Sequence, residues 1–142
     1  MTRIHDLRSF LEVLEEAGQL VRIRKPVSLE YELADVAATL MRESGPVPLF
    51  ENVIGSPWPI FTSAVASQTR AALALGCKKH EVVQVMQRAL DPINGIPPVR
   101  VEDAPWKANV RVGDEVDVRT LPIPVHARGD GGPFITGGVV VS

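Results

Sequence analysis

LPIPVHARGDGGPFITGGVVVS, residues 121–142, is the stretch on which the reading of this chain turns. Pro122, Pro124 and Pro133 fix φ and remove backbone donors, so no helix runs through it. Gly129, Gly131 and Gly132 permit φ > 0 and a close approach to the backbone. Phe134 to Val141 is rich in β-branched residues and reads as a strand, split by Gly137 and Gly138. No turn or return strand follows it, so the strand is expected to have lost its partners or to borrow them from elsewhere.

Upstream, the chain reads as an α/β domain. Asp6 is placed to cap a helix with apolar positions Leu7, Phe10, Leu11, Leu14 and Ala17, and Gly18 is placed to end it. Glu12, Glu15 and Glu16 fall on its solvated face. Gln19 to Val27 alternates as a strand, whose Arg22, Arg24 and Lys25 suit an edge that must not pair with other chains. Ser28 is the expected cap of a second helix, with Glu30 and Glu32 in its first turn and Leu29, Leu33, Val36, Ala37, Leu40 and Met41 as its apolar stripe. Gly45 ends that helix. Leu49–Val53 and Ile60–Ala66 follow as strands about the Gly55–Pro59 turn. Ser67 caps a short helix that Gly76 ends. A longer helix, about 80–90, is expected to turn Val82, Val83, Met86, Ala89 and Leu90 inward.

The order helix, strand, helix, strand, strand predicts an α/β (α+β) fold, a mixed sheet covered by helices. Residues 91–105, DPINGIPPVRVEDAP, form a long Pro/Gly connector and a candidate domain boundary. Trp106 to Val112 alternates as a further strand. A division into 1–104 and 105–142 follows.

Length and composition set limits. The 142 residues suffice for a real core, and 45% hydrophobic with 23% charged residues is a globular composition. A net charge of −2 gives no sequence-wide case for nucleic acid. No run of about 18 apolar residues is present to span a bilayer. The N-terminus lacks a signal-peptide core, and the single cysteine, Cys77, fits a reducing compartment, so the cytoplasm is expected. No repeat or low-complexity tract is visible.

Side chains with chemistry are scattered. His5, His80 and His126 stand far apart, with no second ligand at metal spacing. His126 sits in a polar loop, where sites concentrate, but a structural or solvent-facing role is the default. Cys77 has cationic neighbours Lys78 and Lys79 and no recognisable base, so it reads as structural. Gly129–Pro133 has the freedom to form an anion-binding nest, though plain turns use the same residues. The Thr136 hydroxyl lies beside two glycines, where strand propensity alone also accounts for it. Arg128-Gly129-Asp130 spells an adhesion tripeptide that carries no weight in a chain without a secretion signal. Composition and spacing reveal no reaction.

Residues 6–23 (DLRSFLEVLEEAGQLVRI), Pro48-Leu-Phe-Glu-Asn-Val, Leu121-Pro-Ile-Pro and Gly129-Asp-Gly-Gly-Pro-Phe-Ile-Thr136-Gly resemble, in order, the opening portion of UbiD-type decarboxylases. The resemblance implies an N-terminal α/β domain followed by the first strands of a flavin-reductase-like split β-barrel, incomplete here. It implies reversible non-oxidative decarboxylation of aromatic or α,β-unsaturated acids in the complete enzyme. There, prenylated FMN serves as electron sink, and manganese and potassium tie its phosphate to the protein. The family's flavin-contacting threonine matches Thr136. Its metal-binding His and Glu and its Glu-Arg-Glu network match nothing up to Ser142. Glu102, Asp103, Asp114, Glu115 and Asp130 have no counterpart role. No catalytic or metal residue is therefore expected in this chain, which is expected to be inactive and to bind no cofactor by itself. Its expected partners are the rest of such a protein or a second subunit, a small acid substrate, and further copies in a homo-oligomer, with no nucleic acid and no membrane span. The competing reading is a non-catalytic module that docks by adding its terminal strand to a partner.

Overall fold

The computed structural model describes residues 4–91, 93, 95 and 97–135 of the chain. Helix α1 (Leu7–Glu16) leads into strand β1 (Leu20–Ile23), helix α2 (Glu32–Arg42), strands β2 (Val47–Phe50) and β3 (Ile60–Phe61), and helices α3 (Gln68–Leu75) and α4 (Val82–Leu90). The sheet order is β1-β2-β3. β1 and β2 run parallel, from Leu20 opposite Val47 to Ile23 opposite Phe50, with α2 as the crossover. β3 is antiparallel to β2. The expected mixed sheet with helices is present, in small form.

Period-two alternation sends successive side chains to opposite faces. Leu20, Val47 and Phe61 pack with Phe10 and Leu14 of α1 and with Leu73 and Ala74 of α3. The Phe10 and Phe61 rings meet edge-on, with centroids 6.5 Å apart. Ile23, Phe50 and Ile60 pack on the other face with Leu33 and Ala37 of α2 and with Val27 and Val53. The result is three layers: α1 and α3, the sheet, then α2.

Local signals set several boundaries as expected. Asp6 accepts the Ser9 N–H at 2.8 Å, and the Ser9 hydroxyl accepts the Asp6 N–H at 3.0 Å, a reciprocal cap. Ser67 caps α3 by accepting the Arg70 N–H. Gly76 ends α3 at φ 63°, a left-handed conformation that costs glycine nothing.

Other boundaries differ from the sequence expectation. The first strand is shorter than Gln19–Val27, because Arg24 to Pro26 leave the ladder. Val27 returns only as an isolated bridge to Val53. β2 begins two residues before Leu49 and contains Pro48, which a central strand normally excludes. The reason lies in the ladder. Val47 N–H donates to Gln19 and Glu51 N–H to Ile23, so odd-numbered residues face β1. Pro48 turns its missing donor to the other side, where β3 pairs only with Leu49 and Phe50. The strand expected over Ile60–Ala66 is thereby limited to Ile60–Phe61. α2 starts at Glu32 rather than after Ser28, because Tyr31 stands at φ 66°.

α4 does not turn its apolar side inward. Val83 is 61% and Leu90 77% exposed, and none of its residues is buried. It packs only against α3 and the turn at Lys79–Glu81, so no described element covers its outer face. Trp106–Val112 is not a strand either. Pro105–Ala108 forms a 3-10 turn, as do Gly113–Glu115 and Val118–Thr120. Val110 and Val112 remain exposed, since alternation makes a strand only where a ladder partner exists. Phe134 and Ile135 lie in no element, and the remainder of the expected strand to Val141 falls outside the described residues.

Glu15 does more than face solvent. Its carboxylate takes Arg22 Nε and Nη2 at 2.7 and 2.8 Å. Arg22 Nη1 and Arg24 Nε reach Glu51 at 2.7 and 3.1 Å. These charges decorate β1, which is indeed an edge strand. Hydrogen bonds from Arg22 hold both carboxyls below the usual glutamate range, with Arg24 adding to the effect on Glu51.

Two outcomes are expected. Phe50→Ala empties the centre of the α2-side core and costs about 3–5 kcal/mol in urea unfolding. A carboxyl with a depressed folded pKa stabilises above its unfolded value, and that gain is lost as pH falls through the folded one. Glu51→Gln is therefore expected to lower the melting temperature at pH 7, with the deficit shrinking as pH falls below the usual glutamate range; a deficit that does not change with pH would contradict the assignment.

Candidate functional site

A cleft of about 630 Å³ lies between α2, β3 and a strap formed by residues 121–126. Leu33, Ala37 and Met41 supply one wall, at helical spacing. Ile60, Phe61, Thr62 and Ser63 supply the second. Leu121 to Pro124, His126, Phe134 and Ile135 close the third. Its volume is in the range of small-ligand pockets, and its lining is mainly apolar.

Backbone pairing brings the strap to α2. Val125 N–H donates to Leu29 C=O, and Tyr31 N–H donates to Val125 C=O, both at 3.0 Å. Pro122 and Pro124 keep helix out of the strap, and the Ile123 N–H donates to the Leu121 C=O at 2.9 Å in a tight turn about Pro122. Beyond it the chain turns at Ala127–Asp130, where Asp130 accepts the Ala127 N–H at 2.8 Å. Gly132 stands at φ 142°, a conformation reserved for glycine. The loop that resembled an anion nest thus has its own carboxylate bonded to its backbone.

His126 is drawn into the cleft rather than left in solvent. Its ring lies 4.7 Å from that of Phe134, and its Nδ1 is buried without a hydrogen-bond partner among the described residues. Of the three histidines it alone lines the cleft. His5 and His80 are exposed, the former beside the Asp6 cap and the latter in the Lys79–Glu81 turn. Cys77 is a free, half-buried thiol just past α3. Glu102, Asp103, Asp114 and Glu115 are exposed. The described residues contain no group of three His, Cys, Asp or Glu side chains able to hold a metal. Thr136 lies outside the described residues.

Sequence reasoning missed Arg70. It is only 4% exposed, with Nη1 donating to Gly45 C=O at 3.3 Å and Nε unpartnered. Burial pushes its pKa down, yet a guanidinium keeps its charge at neutral pH. A signal was present: Arg70, Leu73 and Ala74 share one face of α3, and the latter two pack into the α1-side core. Arg70 stands behind the cleft, in a tight space bounded by Ala37, Met41 and Ser63, which also line the cleft itself.

Residues 11–90 match the N-terminal domain of the 3-octaprenyl-4-hydroxybenzoate carboxy-lyases (UbiD), and residues 98–142 match the Rift-related domain of the same enzymes. Solved structures agree. An evolved dimeric form of the UbiD-class enzyme HmfF from Pelotomaculum thermopropionicum, in complex with prFMN, is 28% identical with a TM-score of 0.74 over 92% of this chain. The vanillic acid decarboxylase of Sedimentibacter hydroxybenzoicus, in its open form, is 31% identical with a TM-score of 0.76 over 90%. The apo 3,4-dihydroxybenzoic acid decarboxylase of Enterobacter cloacae is 30% identical with a TM-score of 0.70 over 92%. The chain spans only 30%, 29% and 29% of those three chains.

Removal of the Arg70 charge is expected to be tolerated while removal of its bulk is not. Arg70→Met should hold stability within about 1 kcal/mol of the parent, since a buried charge with a single acceptor contributes little net stabilisation. Arg70→Ala should unfold about 2 kcal/mol more easily than Arg70→Met, because it leaves a gap. Urea titration of both variants checks the order.

Proposed function

This chain belongs to the UbiD carboxy-lyase family, and we propose that it forms the N-terminal part of a decarboxylase that acts on an aromatic or α,β-unsaturated acid with prenylated FMN. The observation that carries this reading is the ordered match of residues 11–90 and 98–142 to two successive domains of one enzyme family. The HmfF structures hold prFMN or FMN, which supports a flavin here.

We divide the chain into an N-terminal domain, 1–104, and the start of a split-barrel domain, 105–142. The exposed described residues after α4, and the break between the two matched stretches at residues 91–97, support a boundary in this connector, with the second match beginning at residue 98. Thr136 is the residue assigned to the flavin, on its place in the motif Phe-Ile-Thr-Gly.

The described donors do not fit a metal–phosphate centre. His126 Nδ1 is a lone buried nitrogen, and the acids of 102–130 are exposed or tied to backbone, so no step of the reaction is routed through them. General acid–base work needs a group within hydrogen-bond reach of substrate. That group, with the manganese and potassium of the complete enzyme, is assigned to the remainder of the protein or to a second subunit. The N-terminal domain supplies the frame on which the barrel segment starts. Assembly into a homo-oligomer and a place in the cytoplasm complete the proposal; the free Cys77 supports a reducing compartment. No helix among the described residues is long and apolar enough to cross a membrane.

The purified 142-residue chain, mixed with prenylated FMN and 3,4-dihydroxybenzoic acid, is expected to release no CO2 and to lose flavin on gel filtration. CO2 release by this chain alone would overturn the division of labour. In the completed enzyme, Thr136→Val should weaken flavin retention about tenfold, the effect of one hydrogen bond to a charged group.

A further inference from the structure

The sequence starts a helix at Ser28, and the structure starts it at Glu32. The cause is a single residue. Tyr31 has φ 66° and ψ −43°, and the Glu32 N–H donates to the Glu30 C=O at 2.8 Å across it. That is a γ-turn of the rare, strained hand, which a bulky side chain disfavours. Strain of this kind persists only where surrounding contacts hold it.

The holding contact is the strap. Leu29 C=O accepts the Val125 N–H, and Tyr31 N–H donates to Val125 C=O. In an uninterrupted helix from Ser28, Leu29 C=O would accept the Leu33 N–H instead. Here Leu33 N–H is displaced to Ser28 C=O at 3.1 Å. The Ser28 hydroxyl already accepts the Glu30 N–H at 3.0 Å, as the cap of that longer helix would. Both groups reach one residue of the strap in a parallel bridge, whereas in a helical turn the Leu29 C=O and the Tyr31 N–H would point in opposite directions along the axis and could not both meet Val125.

We propose that Leu29–Tyr31 is a two-state latch: docking of the 121–126 strap and extension of α2 back to Ser28 exclude each other. In the latched state the strap is pinned, and its residues form the third wall of the cleft. In the released state Leu29, Glu30 and Tyr31 become the first helical turn, and the cleft opens on that side. The latch thus couples the start of the barrel segment to the helix of the preceding domain.

Two variants of the full chain test it. Val125→Pro removes the N–H that donates to Leu29 C=O. It is expected to move the Cα chemical shifts of residues 29–31 to helical values and to speed tryptic cleavage at the exposed Arg128 about tenfold. Tyr31→Gly relieves the strain of φ > 0 and disfavours helix, so it should slow cleavage at Arg128 about tenfold and keep residues 29–31 non-helical. Faster cleavage in Val125→Pro with unchanged shifts at 29–31 would overturn the coupling. So would cleavage in Tyr31→Gly as fast as in the parent. If Val125→Pro proves unfolded by its amide spectrum, Tyr31→Gly decides alone on the same readouts.

Discussion

The double burial of β2 is the constraint from which the rest of the structure follows. All four residues from Val47 to Phe50 are buried, two on each face of the sheet. Val47 joins the core under α1 and α3, and Phe50 joins the core under α2. A strand covered on both faces reads as a continuous apolar run rather than an alternation, which VPLF is. Pro48 fits because its absent donor faces the flank where β3 has already ended. That same proline limits β3 to two residues, and the short β3 leaves the α2 face partly open. The cleft occupies that opening.

The cleft is composite. One wall is the α2 stripe, set by helical period, and another is the stretch that leaves β3. The third arrives from about ninety residues downstream in the sequence and is fixed by two backbone hydrogen bonds about Val125. Its polar content is small: the Thr62 and Ser63 hydroxyls and a buried His126 nitrogen. It is a place where two parts of the chain meet. The exposed face of α4 and the paired valines of the 97–121 segment present apolar surface with no described element against it.

Much of the frame was legible in the sequence because its determinants are local. The caps at Asp6 and Ser67 and the stop at Gly76 depend on residues within a turn of one another. The two-faced pattern of Leu20 and Ile23 depends only on the pleat. The errors share a cause, which is a partner that sequence period cannot supply. Trp106–Val112 alternates without a ladder neighbour, and α4 is amphipathic without a layer over it. Arg70 is buried on what reads only as a short helix, because α3 lies against α1 and the guanidinium reaches the Gly45 carbonyl just before β2. His126 looked like a loop histidine and proved to be packed on Phe134.

The sequence by itself determined the helices, the apolar stripes, the order of strands and, through four ordered motifs, the carboxy-lyase family. These follow from backbone sterics, helical and pleated periods, and side-chain types read in line. Only the tertiary structure decided where α2 begins, how a proline enters a central strand, and that residues 121–126 lie on α2. Each of those depends on a hydrogen bond between segments far apart in the chain, and a backbone donor or acceptor carries no mark in the sequence of the partner it will find.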